Sequence, residues 1–180
     1  KRYFDEWAYK HPNASNFKRI VEKESGIELD WYFEYFVNTT KTIDYSIHEI
    51  MSDEKGTQIL LKKGEMPMPI EFNIVLQNGT ISKYYIPTVL MRGEKEVELN
   101  TKILSDWAWT NPYYSIRLDQ AQSEIKEIQL HTTGHIADIE PLNDKIQMPD
   151  NWDWNKYKLR LKLLEKKKKG TIKKFVKIKK

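Results

Sequence analysis

The sequence predicts an α+β protein with an N-terminal helical segment, an antiparallel β-sandwich and a short basic C-terminal helix or tail. Apolar residues recur at helical spacing up to about residue 38. From about Thr42 the period changes to two, and short strand candidates follow one another without helices between them. The chain from Lys156 onward is strongly basic. These changes divide it into residues 1–40, 41–147 and 148–180.

The first segment predicts two short helices with heavily apolar faces. In the first, Asn13, Ser15 or Asn16 can cap the start, and Gly26 stands where a left-handed C-cap is favoured. The face of the second helix consists of Leu29, Tyr32, Phe33, Phe36 and Val37. Two such helices cannot bury these faces against each other alone. We therefore expect a partner surface in a preceding part of the protein, and interpret this chain as a C-terminal fragment.

The middle segment predicts a series of β-strands. Ile43, Tyr45 and Ile47 alternate with polar residues, as in a half-buried strand. Asn78-Gly79 favours a type I′ hairpin turn between two β-rich runs. The candidate strands are QILLKK, the two halves of IEFNIVLQNGTISKYYIP, EKEVELN, YYSIRL and EIKEIQLH. Strands at this spacing are typical of an antiparallel sandwich.

Charge is unevenly distributed along the chain. Residues 156–180 hold thirteen Lys or Arg against Glu165 alone, a charge of +12, so the net charge of +4 leaves −8 for residues 1–155. The tail favours contact with anionic lipid headgroups or a solvated end. The acidic body would repel phosphate, so no nucleic-acid partner is expected. The chain has no Cys, no GxSxG motif and no apolar run of the roughly 20 residues that span a bilayer.

The stretch HTTGHIADIE places His131 and His135 four residues apart, with Asp138 and Glu140 close behind. On a helix this spacing presents two imidazoles to zinc. Gly134 and the two threonines instead favour a turn after a strand, where the rings need not converge. We interpret both histidines as polar turn residues, and predict no metal ligand and no catalytic residue in this chain.

The alternative function is that of a stand-alone β-sandwich module, which binds a carbohydrate or protein ligand through the stretch SDWAWTNPYY. Trp107, Trp109 and Tyr113 are the candidate residues for stacking on sugar rings. Alternating tryptophans also fit ordinary packing in a sandwich core, which we favour.

An ordered series of segments resembles the C-terminal region of aminopeptidase-N-like zinc metallopeptidases, the gluzincins, of the type found in Bacteroidota. The similarity covers about residues 5–147. The segments are YKHPNASNFKRIVEKESGIELDWYFEYFVNTTKTIDYSI, GEMPMPIEFNIVLQNGT, YYIPTVLMRGEKE, DWAWTNPYYSI and EIKEIQLHTTGHIADIEPLND. In that family the last helices of a thermolysin-like catalytic domain lead into a β-sandwich.

The resemblance implies a non-catalytic fragment of a larger enzyme. The family's HExxH motif, its further Glu ligand and its catalytic Tyr lie upstream of the similar region, so none matches a residue here. Zinc and a peptide substrate are implied for the parent protein, in which a Glu activates zinc-bound water. The implied partner of this fragment is the upstream catalytic domain, and the implied location is the periplasm or cell surface.

Overall fold

The computed structural model describes residues 1–93, 95–148, 155–159 and 162–163. The chain is an α+β protein, as predicted, with helices followed by two sheets of mostly antiparallel strands. It forms two units, Lys1–Gln147 and Met148–Lys180. All the helices and strands named below lie in the first unit.

Three short helices open the first unit: α1 Arg2–Trp7, α2 Ala14–Ser25 and α3 Asp30–Asn38. Asn13 caps α2 through a capping box, in which Asn13 and Asn16 each accept a hydrogen bond from the other's backbone N–H. Gly26 ends α2 in the left-handed region with a φ of 68°. The predicted cap residues at both ends of this helix are thus confirmed.

The strands are β1 Tyr45–Asp53, β2 Gly56–Lys63, β3 Ile70–Leu76, β4 Ile81–Ile86, β5 Thr101–Ile103, β6 Tyr113–Leu118, β7 Ile125–Leu130 and β8 Lys145–Gln147. One sheet has the order β1-β2-β6 and the other β5-β4-β3-β7-β8. Among the strands of the described residues, β4 and β5 are the one parallel pair. In β1 the register shifts between Ile47 and Glu49, which marks a bulge at His48.

The β3–β4 hairpin forms as predicted, but its turn type is not the predicted one. A type I′ turn needs positive φ at both central residues, and here Gly79 is left-handed with φ 86° while Asn78 is not. The Gly79 N–H donates to the Leu76 carbonyl (3.0 Å), and the Leu76 N–H donates to the Thr80 carbonyl (2.9 Å). This is a three-residue loop closed by one left-handed glycine.

Two segments differ from the predicted strands. The described part of EKEVELN, residues 95–100, contains no strand, and the short β5 begins just after it. The strand β8 was not predicted, because it lies in a stretch with little β-periodicity. It pairs with β7 at Ile128↔Ile146, so Ile146 is buried by tertiary pairing rather than by a local pattern.

The fully buried side chains of the first unit come from both sheets. Alternating positions supply them, as the two-residue period predicts. They include Tyr45, Ile59, Leu61, Ile70, Phe72, Ile74, Tyr85, Ile86, Ile125, Ile128 and Leu130.

The predicted basic C-terminal helix lies mostly outside the described residues. Within 149–180 the structure describes only residues 155–159 and 162–163, which are helical. Among the described residues, no helix combines the length and apolarity that a bilayer span requires.

Candidate functional site

A histidine and two aspartates meet at the loop that connects β7 to β8. His131 directly follows β7, Asp138 lies in the middle of the loop, and Asp144 directly precedes β8. The imidazole Nε2 of His131 lies 3.5 Å from Asp138 Oδ2 and 4.0 Å from Asp144 Oδ1. One possible ligand atom from each residue lies within 4.8 Å of the other two.

Backbone hydrogen bonds fix the positions of His131 and Asp144. The His131 N–H donates to the Glu71 carbonyl at the start of β3 (2.8 Å), and the Leu130 N–H donates to the Asp144 carbonyl (2.8 Å). The backbone of His131 is left-handed, with φ 52°, so the chain turns away from β7 at this residue. The sheet pairing of β7 and β8 thereby brings the two ends of the loop together.

The Asp138 carboxylate links this loop to the other sheet. Its Oδ2 accepts a hydrogen bond from the N–H of Tyr45 at the start of β1 (2.7 Å), and its Oδ1 accepts one from the Glu140 N–H (2.8 Å). The Tyr45 ring meets the His131 ring edge-on, with centroids 5.8 Å apart. Two backbone N–H donors thus fix the orientation of the Asp138 carboxylate.

Three polar atoms of the cluster are buried without hydrogen-bond partners. His131 is 8% exposed, and both of its ring nitrogens lack a partner, as does Asp144 Oδ1. Burial lowers the pKa of His131, against the opposing effect of Asp138. Burial, together with Asp138, Asp44 and Glu140, raises the pKa of Asp144 to about 7. A divalent cation or a proton would relieve the repulsion between the carboxylates.

Asp144 should make stability depend on pH in protein freed of metal by a chelator. Because the pKa of Asp144 is raised in the folded state, this residue favours folding most strongly below pH 4. Its contribution to the free energy of unfolding is lost as the pH rises to about 7. We expect the free energy of unfolding of Asp144→Asn, relative to that of the wild type, to rise by roughly 2 to 4 kcal/mol between pH 4 and pH 8. Urea unfolding at a series of pH values measures this difference. A difference that does not change between pH 4 and pH 8 would contradict the prediction.

A cavity of about 200 Å³ adjoins the cluster, and His131 forms part of its wall. His135 and Thr133, from the same loop, also line it, with Met68 and Lys95 among the other residues. A groove of about 650 Å³ shares the lining residues Lys95, Thr133 and His135. The cluster is therefore buried but adjacent to space that small solutes can reach.

His131 begins the predicted turn, since its carbonyl accepts a hydrogen bond from the Gly134 N–H (3.0 Å), but its burial was not predicted. Residues 132–134 do form a turn, and His135 is exposed as expected. His131, however, is buried against Tyr45, because the β3 pairing carries the end of β7 into the interior. Sequence reasoning also missed Asp144, whose one local signal is its place in PLNDKI ahead of an unpredicted strand.

The aromatic residues of the alternative carbohydrate site do not form one platform. Trp107 is 3% exposed, and its ring packs against Tyr45 at 5.4 Å, so it cannot stack on a surface ligand. Its Nε1–H donates to the Asn111 carbonyl (2.9 Å). Trp109 is 46% exposed, and exposed Tyr113 packs against His48 at 5.0 Å. Core packing, the favoured interpretation, holds for Trp107.

The structure thus brings together one histidine and two aspartates that the sequence separates. The prediction that this chain holds no metal ligand stays a prediction. No protein-family model, curated protein or solved structure matches the chain.

Proposed function

We propose that this chain is the non-catalytic C-terminal portion of an aminopeptidase-N-like zinc metallopeptidase. In this proposal α1 to α3 complete a thermolysin-like catalytic domain, and the two sheets form a β-sandwich that supports it. The observation that carries the proposal is the uncovered apolar surface of the helices.

The helices bury little of the apolar surface that their sequences carry. Ile20 is the one buried residue of α2, and α3 buries none. Phe36 and Val37 are consecutive residues of α3, and they are 55% and 67% exposed. Phe17 on α2 is also exposed. Several exposed large apolar side chains on two short helices support a face that another protein surface covers.

The helices contact the sheet region through the segment between α2 and α3. The Glu28 N–H, between α2 and α3, donates to the Met91 carbonyl (2.9 Å), and the Glu28 carboxylate pairs with Arg92 at 3.3 Å. Gly93 lies so close to the Gly26 carbonyl that a Cβ atom there would overlap it. A part of the catalytic domain packed on these helices would therefore be held at a fixed position on the sheets, as the supporting role requires.

Contacts between the two sheets support the sandwich arrangement. Tyr45 of the three-stranded sheet packs against Trp107 and His131, and the Ile47 N–H donates to the Asn143 carbonyl (3.2 Å). Buried residues on β2 and β3, such as Ile59 and Ile74, provide the inner faces.

The proposal assigns no peptidase step to this chain. No position carries HExxH, so the zinc ligands, the general base and the peptide-binding residues belong to the preceding catalytic domain. The partner of this chain is that domain, and contact of the basic tail with a membrane is a further proposal for residues outside the described part. A carbohydrate-binding function has the support of exposed Trp109 and Tyr113 alone.

The double substitution Phe36→Ser/Val37→Ser tests whether the α3 face is covered. Because both side chains are exposed here, we expect the free energy of unfolding of this chain to change by less than about 0.5 kcal/mol. In the full-length parent the same change should cost about 2 kcal/mol or more, since it removes apolar contacts between domains. Urea unfolding of both proteins measures the difference.

Three results would contradict the proposal. The first is an effect of the double substitution in the parent that is as small as in this chain and as small as that of the control Met51→Ser, an exposed change on β1. The second is an open reading frame upstream of Lys1 that encodes no thermolysin-like domain. The third is turnover of an aminoacyl-anilide by the purified chain alone.

A further inference from the structure

The strongest cluster outside the proposed domain contact is the one formed by His131, Asp138 and Asp144. We propose that these three residues form a structural binding site for a divalent cation of the zinc class, which holds the β7–β8 loop closed. This inference does not depend on the proposed function, because the zinc of the implied peptidase lies in another part of the parent protein.

The donor set suits such a cation. Neutral imidazole and carboxylate oxygen are both ligands of Zn²⁺, and three protein ligands leave a further position for water. When both Asp138 and Asp144 are ionised, two negative charges lie in a buried place, and a divalent cation neutralises both. No Lys or Arg side chain within the described residues is paired with Asp138 or Asp144.

The spacing fits a shared cation better than direct hydrogen bonds. Hydrogen bonds would draw the atoms to roughly 2.8 Å, whereas Nε2 lies 3.5 Å from Asp138 Oδ2 and 4.0 Å from Asp144 Oδ1. Ligands around a tetrahedral zinc ion stand roughly 3.4 Å apart. Because the three atoms lie within 4.8 Å of one another, each needs to move by only about 0.5 Å to reach a cation between them.

A second observation points independently to a missing partner. His131 is more than nine-tenths buried, yet neither ring nitrogen has a hydrogen-bond partner, and the same is true of Asp144 Oδ1. Buried polar atoms in native proteins nearly always have a hydrogen-bond partner. These atoms therefore indicate a bound partner that the polypeptide does not supply. The 200 Å³ cavity beside His131 gives a cation a route of entry.

The surroundings orient the ligands as metal sites require. The Asp138 carboxylate accepts hydrogen bonds from the backbone of Tyr45 and Glu140, which fixes its direction. His131 and Asp144 are held at adjacent strand ends by the β7–β8 pairing. A cation here would join the two ends and the middle of one loop and, through Tyr45, the start of β1. This placement indicates a structural role.

The test is a Zn²⁺ titration against a chromophoric chelator, with the wild type, Asp144→Asn and the control His135→Ala. We expect one tight site per chain and a higher Tm with Zn²⁺. Asp144→Asn should weaken Zn²⁺ binding by more than about 100-fold. Replacing a residue that only hydrogen-bonds to a metal ligand already lowers metal affinity by about 10- to 100-fold. His135→Ala, in the same turn but exposed, should bind within about three-fold of the wild type.

Asp144→Asn keeps the size of the side chain and removes a repelling charge, so loss of folding does not explain a loss of binding. Nitrogen NMR of the imidazoles adds a direct measurement, in which Zn²⁺ should shift a ring nitrogen of His131 and leave His135 unchanged. No Zn²⁺ binding, equal binding by Asp144→Asn, or binding that is lost in His135→Ala would each overturn the proposal. The last two results would identify capture by exposed histidines.

Discussion

Replacing Tyr45 with alanine is expected to lower the free energy of unfolding by about 4 kcal/mol. The ring is buried where it meets both Trp107 and His131, so its removal leaves a cavity between β1 and these two side chains. Its hydroxyl donates to the Met68 carbonyl (3.1 Å) and accepts from the Met68 N–H (2.7 Å). Both Met68 groups lose this partner in the variant.

Tyr45→Phe separates the ring from the hydroxyl. It keeps the packing and should cost about 1 to 3 kcal/mol, the usual effect of leaving buried polar groups without a partner. Urea unfolding followed by tryptophan fluorescence measures both variants. Tyr9→Phe serves as the control, because Tyr9 is fully exposed. A loss below about 1 kcal/mol for Tyr45→Ala would mean that Tyr45 does not join the sheets.

Gly56→Ala should destabilise the chain by about 3 kcal/mol or more. Gly56 begins β2 with φ 121°, a conformation that residues with a side chain rarely adopt. A Cβ atom there would also overlap the backbone carbonyl of Leu118 at the end of β6. The backbone of β6 cannot move away without breaking its pairing with β2.

Gly79→Ala is the matched control for Gly56→Ala. Gly79 also has a positive φ, 86°, but no atom lies within 4 Å of the position its Cβ would take. It should therefore show the backbone cost alone, about 1 to 2 kcal/mol. Equal losses of thermal stability for the two variants would show that the approach to β6 contributes nothing.

The sequence predicted the elements whose signals are local. The Asn13 capping box and Gly26 specify the ends of α2, and the alternation around Tyr45 and Ile47 identifies β1. The hairpin was predicted correctly from Asn78-Gly79, but the predicted type I′ turn is wrong, since the loop length depends on the register of β3 and β4.

The candidate site was not predictable because its geometry is not local. The four-residue spacing of His131 and His135 attracts attention, yet these two side chains do not come together at the cluster. The true neighbour Asp144 becomes visible only when β8 pairs with β7, and β8 has too few residues to show a period. The burial of His131 likewise results from β3, a strand distant in sequence.

The contact between β1 and the β7–β8 loop has a consequence for synthesis of the chain. The edge of β1 that does not pair with β2 contacts residues much later in the chain. The Tyr45 N–H donates to the Asp138 carboxylate, 93 residues away, and the Ile47 N–H donates to the Asn143 carbonyl. On the ribosome, β1 and β2 can pair early, because they are adjacent. Until the loop emerges, β1 presents unpaired backbone groups to other nascent chains. Intermediates stalled before residue 138 should therefore be the form of this protein most prone to aggregate.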